Sequence, residues 1–326
     1  MIGRIPLADA VDTVLELTIA PSWTRIGFDI RRHLLGWDRN PLPRLDGRVV
    51  VLTGFTSGIG LAAATELGAH GATLHLVGRD PGRVETVMRQ MLEAGIDASS
   101  SIADLSDLDD VRRLAREIRG AHAAVDVLIH NAGALTAEFT TSAQGHEITV
   151  AAQVLGPFLL THLLLDRLQA SSVGARVLTV TSGGMYTERL SVTDLEMTAA
   201  NYDGVRAYAR AKRAQVELAA EWTRRVGPGV AFHTMHPGWA DTPGVVSALP
   251  TFHRITRPLL RDPAAGADTL VWLTSAPRTE LGASGGLWLD RRRRSTSRVP
   301  WTDTPAGERY RLWAWCEQRT DASVSD

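Results

Sequence analysis

A β-branched apolar run, RVVVLT from Arg48 to Thr53, feeds without a spacer into TGFTSGIG, then into an Ala-rich segment from Leu61 to Ala69, and then into a second apolar run, ATLHLV. Few architectures accept that order. A short Val-rich run without polar alternation suits a parallel sheet covered on both faces, and parallel neighbours need a helical crossover between them. Gly54, Gly58 and Gly60 permit a tight turn and close backbone approach. The loop, with Thr56, Ser57 and Ile59, can then present N–H groups to a pyrophosphate at the start of the following helix. The pattern predicts a mononucleotide-binding βαβ unit.

The alternation continues with helical patterning from Arg83 to Ala94 and a short strand ending near Ala103-Asp104-Leu105. A charged helix from Asp107 to Arg119 and the apolar strand VDVLIH follow, the latter running into Asn131-Ala132-Gly133. Repeated units of this length predict an α/β fold, a doubly wound parallel sheet of Rossmann type, with ligand at the C-terminal ends of its strands. The expected organisation is one such domain over 46–290, a helical N-terminal extension over 1–45, and a docking segment and tail over 291–326.

Composition narrows the partners. The net charge of −1 gives no reason to expect nucleic acid, and no metal-ligand pattern is present. A single cysteine, Cys316, excludes an internal disulfide framework and suits a reducing, cytoplasmic setting. No run of 18 apolar residues occurs, and Asp9, Asp12 and Glu16 interrupt the N-terminal apolar positions. Leu7, Val11, Val14 and Leu15 have helical spacing, as do Ile26, Ile30, Leu34 and Leu35 after Pro21. Such helices could pack on the domain, line a substrate entrance, or lie on a membrane surface beside Arg25, Arg31 and Arg32. The oligomeric state is left open, a homo-oligomer included.

The chemistry concentrates between Thr179 and Lys212. Tyr208 and Lys212 stand four residues apart, which on a helix places a phenol and an ammonium on one face, one turn apart. A nearby positive charge favours the phenolate, so Lys212 is expected to lower the Tyr208 pKa and make it a proton donor and acceptor for carbonyl/alcohol chemistry. Lys212 is the only lysine among 35 basic residues, as though this position needs a compact ammonium. At the end of the second strand, Arg79 could hold a 2′-phosphate, which favours NADP, whereas Asp80 could accept from ribose hydroxyls and keeps NAD open.

TGFTSGIG, the Asn131-Ala132-Gly133 run, the strand-end Ser182 and YARAK at 208–212 resemble the short-chain dehydrogenase/reductase superfamily over roughly residues 46 to 290. TSGGM at 181–185 and MHPGWADTPGV at 235–245 are similar to the family's orphan member twelve and its bacterial relatives. The Ser182–Tyr208 separation is similar to that of the retinol-dehydrogenase-like branch. The resemblance implies that Tyr208 is the general acid/base, that Lys212 lowers its pKa and bonds the nicotinamide ribose, and that Ser182 orients the substrate oxygen. It further implies that Asn131, Ala132 and Gly133 stabilise the strand end beside the cofactor. Asp104, with Leu105, would meet the adenine, and His236, Pro237, Gly238 and Thr242 would cover the nicotinamide and phosphates. The chain departs from the family at QVLG, where Gln153 replaces an Asn that holds a water in the proton relay, and at His130, which replaces a common Asn before the Asn131-Ala132-Gly133 run.

Other segments carry plainer expectations. Leucines between Val154 and Leu168 suit a core or a subunit interface, Tyr186 and Tyr202 either touch substrate or pack a loop, and Arg291 to Arg294 read as a solvated or phosphate-facing tip. Val246, Leu249, Phe252 and His253 form a natural lid, whose apolar content points to a hydrophobic carbonyl or alcohol. Tyr310, Leu312, Trp313 and Trp315 suggest a docking helix. The sequence therefore reads as an NADP-preferring oxidoreductase. The alternative is a catalytically weak nicotinamide-binding scaffold or sensor, with Gln153 impairing the relay.

Overall fold

The glycine-linked unit forms as its sequence requires: β1 (Val49–Thr53) and β2 (Thr73–Gly78) pair in parallel, with the helix Gly58–Ala69 crossing between them. The computed structural model describes residues 7–39 and 41–322. Six further strands complete one sheet: β3 (Ala98–Ile102), β4 (Val127–His130), β5 (Ala175–Val180), β6 (Val230–Met235), β7 (Gly286–Leu289) and β8 (Arg292–Arg294). Their order is β3-β2-β1-β4-β5-β6-β7-β8, parallel throughout except for the β7–β8 hairpin. The order reverses beside β1, between β2 and β4, and an open parallel sheet binds ligands at the crevice such a reversal creates.

Successive strand residues face opposite layers. Val50 and Leu52 pack beneath the helices Gly58–Ala69, Pro81–Glu93 and Pro263–Ser275, while Val51 faces Leu108–Ala121, Gly156–Leu163 and Gly204–Val226. The leucines between Val154 and Leu168 belong to this second core. The helix Glu308–Thr320 docks there too, its buried Trp313 packing edge-on against Trp222 at 4.5 Å and Phe158 at 4.9 Å.

The N-terminal extension packs on the domain, but not by the apolar faces its spacing suggests. In the helix Leu7–Leu17 the residues Leu7, Val14 and Leu17 are 73%, 63% and 81% exposed, and of the four spaced apolar positions only Leu15 is buried, beside Asp12. In the helix Arg25–Leu34 the buried positions are Gly27, Phe28 and Arg31, with Ile26 and Leu34 exposed. The reason is electrostatic. Arg31 Nε donates to Asp12 at 2.6 Å, its Nη2 to Glu16 at 3.0 Å, and its Nη1 to Asp290 at 2.6 Å. Asp290 also accepts from both Nη atoms of Arg261, at 2.5 and 3.0 Å, and Arg294 donates twice to Asp12 at 2.8 and 2.9 Å. Burial alone would raise the Asp12 pKa, but the hydrogen bonds from Arg294 and Arg31 hold it below the ordinary carboxylate value.

The run Arg291 to Arg294 is therefore not a solvated or phosphate-facing tip. Arg291 pairs with Asp268 at 2.5 and 2.9 Å, Arg292 with Asp9 at 2.6 Å, and Arg294 with Asp12. The two residues linking β7 to β8, Asp290 and Arg291, have φ of 54° and 55°, the pattern of a type I′ hairpin turn that ordinarily uses Asn or Gly. Their charged partners hold both in that strained backbone region.

Candidate active site

Close packing joins the loops at the strand ends. Gly54 adopts φ of 73°, and a methyl group there would stand 2.7 Å from Ala132 Cα; one on Gly60 would stand 2.1 Å from the Gly54 carbonyl oxygen. Asn131 Nδ2 donates to the carbonyls of Thr53 and Gly54 at 3.0 and 2.8 Å, and Thr53 Oγ1 accepts from the backbone N–H groups of Asn131 and Ala132. Asn131 thus ties the glycine turn to the end of β4. Across this turn, Gly58 lies against Thr242, whose hydroxyl caps the helix Pro243–Ala248 by accepting from Val245 N at 3.3 Å. Ser57 precedes the helix Gly58–Ala69 without capping it by its side chain.

Arg79 projects from the end of β2, its side chain 76% exposed and 3.8 Å from Asp104. Asp80 caps the helix Pro81–Glu93 by accepting from Arg83 N at 2.9 Å, and Asp104 Oδ1 accepts twice from Ser106. Of the sequence candidates here, Leu105 is displaced. Its side chain lies in the core, so only its backbone borders the loop.

Tyr208 and Lys212 lie on the helix Gly204–Val226, with the Lys212 Nζ 5.2 Å from the centre of the Tyr208 ring. Ser182 follows β5 and lies near enough to the Tyr208 hydroxyl to pull its pKa down against burial. Lys212 Nζ donates to Val180 O at 2.9 Å, and Thr181 Oγ1 donates to Lys212 O at 2.8 Å, pinning helix to strand end. The expected Lys212-induced lowering of the Tyr208 pKa is not what this arrangement produces. Burial dominates, pushing Tyr208 up to about 12 against the pull of Ser182 and pushing Lys212 down to about 7. Desolvation thus keeps Tyr208 neutral and brings Lys212 to titrate near neutrality in the protein alone. A bound anionic ligand would favour the ammonium again and, through it, the phenolate.

Gln153 occupies a π-helical turn, Ala151–Leu155, where its buried Nε2 donates to Ala134 O at 2.8 Å and its Oε1 stands beside Gly133. His130 accepts or donates locally through Nε2, 2.8 Å from Thr161 Oγ1. Tyr186 and Tyr202 pack loops: Tyr186 donates to Ser295 O at 2.7 Å, and the Tyr202 hydroxyl lies 2.6 Å from Thr136 Oγ1.

Two contributors escape a reading of the sequence. Trp23, from the N-terminal extension, packs its ring against Gly183, next to Ser182, and its carbonyl accepts from Trp239 N at 2.7 Å and Arg261 Nε at 3.0 Å. Gly238 is consequently held between the extension and Arg261. Nothing local in the sequence signals this long-range contact. Gln215 donates through Nε2 to the Gln153 carbonyl at 2.8 Å, and its place one turn beyond Lys212 on the same helix is a signal that helical spacing could have supplied.

The short chain dehydrogenase model matches residues 48–251. The chain belongs to the short-chain dehydrogenase/reductase family. It is 37% identical over 255 residues to human dehydrogenase/reductase SDR family member 12, covering 78% of this chain and 80% of that one. It is 39% identical over 285 residues to a Streptomyces sp. (strain C5) protein named as a daunorubicin C-13 ketoreductase, covering 86% and 94%. A crystal structure of an uncharacterized protein from Mycobacterium paratuberculosis superposes with a TM-score of 0.70 at 29% identity, over 86% of this chain and 96% of that one. The protein is thus an oxidoreductase of this family built on a dinucleotide-binding fold.

Proposed function

We propose that the protein moves a hydride between an NADP cofactor and a hydrophobic carbonyl or alcohol. The observation that carries this reading is the meeting of Ser182, Tyr208 and Lys212 at the end of β5, with only β4 between it and the strand that leads into the glycine turn. Bound nicotinamide supplies or accepts the hydride. The chain supplies the rest: Tyr208 gives a proton to the substrate oxygen or takes one from it, Ser182 donates to that oxygen, and Lys212 sets how readily the phenol ionises. The resident groups fit the dinucleotide. The N-terminus of the helix Gly58–Ala69 faces the pyrophosphate position, the Ser57 hydroxyl is not used as a cap, and Thr242 closes the opposite side. Trp239 and Phe252, packed edge-on at 5.2 Å, give the lid an aromatic face suited to an apolar substrate. The name of the Streptomyces relative, a ketoreductase, is consistent with a carbonyl substrate.

Arg79 supports NADP over NAD because its guanidinium is exposed and only loosely paired, 3.8 Å from Asp104, whereas Asp80 is engaged as a helix cap. In a thermal-shift titration, NADPH at about one hundred times its dissociation constant should stabilise the fold by about 2.7 kcal/mol. NADH is expected to need a higher concentration, and Arg79→Ala to erase the difference. Equal shifts for both nucleotides in the unmodified protein would overturn the phosphate assignment.

The outward face of the helix Leu7–Leu17 favours a second property, peripheral contact with a membrane. Leu7, Ala10, Val14 and Leu17 share that face, and Ile19 and Ile26 continue the exposed apolar surface beside Arg25 and Arg32; Arg31 is buried and takes no part. No described helix is long and apolar enough to cross a bilayer. Co-sedimentation with anionic vesicles should fall sharply in Val14→Asp/Leu17→Asp, and unchanged sedimentation would exclude contact through this helix.

A further inference from the structure

Pro157 has no N–H, so the Gln153 carbonyl four residues earlier cannot receive the usual helical hydrogen bond. The chain answers with the π-helical turn at Ala151–Leu155 and with the Gln215 side chain, whose Nε2 donates to that carbonyl. Gln215 is buried, and its own Oε1 has no partner among the described residues. The same is true of Nδ1 of His130, a fully enclosed imidazole that burial keeps neutral by pushing its pKa down to about 3. Both residues line one cavity of about 30 Å³, shared with Gln153, Thr161 and Thr179 and otherwise walled by apolar groups such as Phe158 and Trp222.

A cavity that holds one water needs about 10–15 Å³ and two to four polar partners, and this one meets both conditions. The bonding pattern is also complete for one tautomer. If Thr161 donates to His130 Nε2, then His130 Nδ1–H is a donor and Gln215 Oε1 an acceptor, and a single water satisfies both. A buried donor and acceptor left unmatched would be costly, and the two are unlike in chemistry and served by one molecule.

We propose that this cavity is a buried-water site held by His130 and Gln215, and that Gln215 thereby positions the Gln153 turn against Gly133 and Ala134 beside the nicotinamide. The role rests on the cofactor placement proposed above; the water site does not. Gln215 is a positioning residue: it reaches neither substrate nor cofactor, but it fixes the carbonyl and the helical register from which the Gln153 amide is presented. A shift of about 1 Å in such a group can lower turnover by about a hundredfold.

The test has a structural and a kinetic arm. A crystal structure of the full chain at a resolution that defines ordered solvent should show a water within about 3.2 Å of both His130 Nδ1 and Gln215 Oε1. Gln215→Leu should lower kcat by about tenfold to a hundredfold, with KM for the carbonyl little changed. Gln215→Glu should recover much of that loss in acid, where the protonated carboxyl can donate to the Gln153 carbonyl, and lose it as pH rises and the donor ionises. A purely structural role would lower the folded fraction without this pH-dependent rescue. Absence of the water overturns the site; a Gln215→Leu variant with unchanged kcat overturns the positioning role. A wild-type protein that contains the water but turns over no carbonyl would instead overturn the proposed activity and leave the water site standing.

Discussion

Tyr208→Phe is expected to lower kcat by about 10²–10⁴-fold while leaving NADPH binding nearly intact, because only the proton at the substrate oxygen is lost. The ring stays, so the packing beside Lys212 is preserved, and with it the Lys212 hydrogen bond to Val180. Loss of reduced-nicotinamide absorbance in the presence of a hydrophobic ketone is the measurement. Because burial holds the Tyr208 hydroxyl near 12 in the protein alone, the folded phenol is neutral across the working pH range. Its ionisation must be assisted by the charge on Lys212, which burial has brought down to about 7. The rate should therefore respond to pH near neutrality in the unmodified enzyme. Full activity in Tyr208→Phe would remove the general acid/base from this helix, whereas no turnover in the unmodified protein would return it to the scaffold reading.

Asp290→Ala should reduce the free energy of unfolding by about 3–5 kcal/mol, the usual consequence of removing one partner from a buried ion pair. Asp290 is fully buried between Arg31 and Arg261, and its loss leaves Arg261 without its counter-charge while Arg31 keeps only Asp12 and Glu16. The strained turn offsets none of this, because alanine is no better suited than aspartate to a φ of 54°. The damage should also reach the site, since Arg31 and Arg261 both hold Ser22 O and Arg261 holds the Trp23 carbonyl, next to the ring that packs on Gly183. Urea denaturation gives the stability change, and limited proteolysis should show the N-terminal helices released. A loss below about 1 kcal/mol would mean that the clasp is dispensable.

Much of the site was legible before the structure because its signals are local. Gly54, Gly58 and Gly60 sit where a strand must turn into a helix, Asn131 follows an apolar strand, and Tyr208 and Lys212 are one helical turn apart; backbone geometry turns each spacing directly into a position. The N-terminal extension misled for a physical reason. Apolar periodicity predicts an inward face only when the core offers apolar surface, and here the domain offers Arg261, Arg292, Arg294 and Arg298. The helix Leu7–Leu17 turned its acids inward instead.

The pKa relation within the site failed to follow from the sequence for a related reason. Spacing brings Lys212 to Tyr208, but the balance between charge–charge attraction and desolvation depends on how much water the surrounding loops exclude. The sequence by itself determined the parallel pairing of the strands, the glycine turn and the approach of Tyr208 to Lys212, since strand length, helical period and turn chemistry act over a few residues, while Ser182 was legible only through the family resemblance. Tertiary structure alone decided that Asp12, Arg31, Asp290 and Arg261 form one buried clasp, that Trp23 reaches Gly183, and that Gln215 completes the Gln153 turn. Those contacts join residues tens to hundreds of positions apart, and their free energies come from burial and pairing that exist only once the chain has closed on itself.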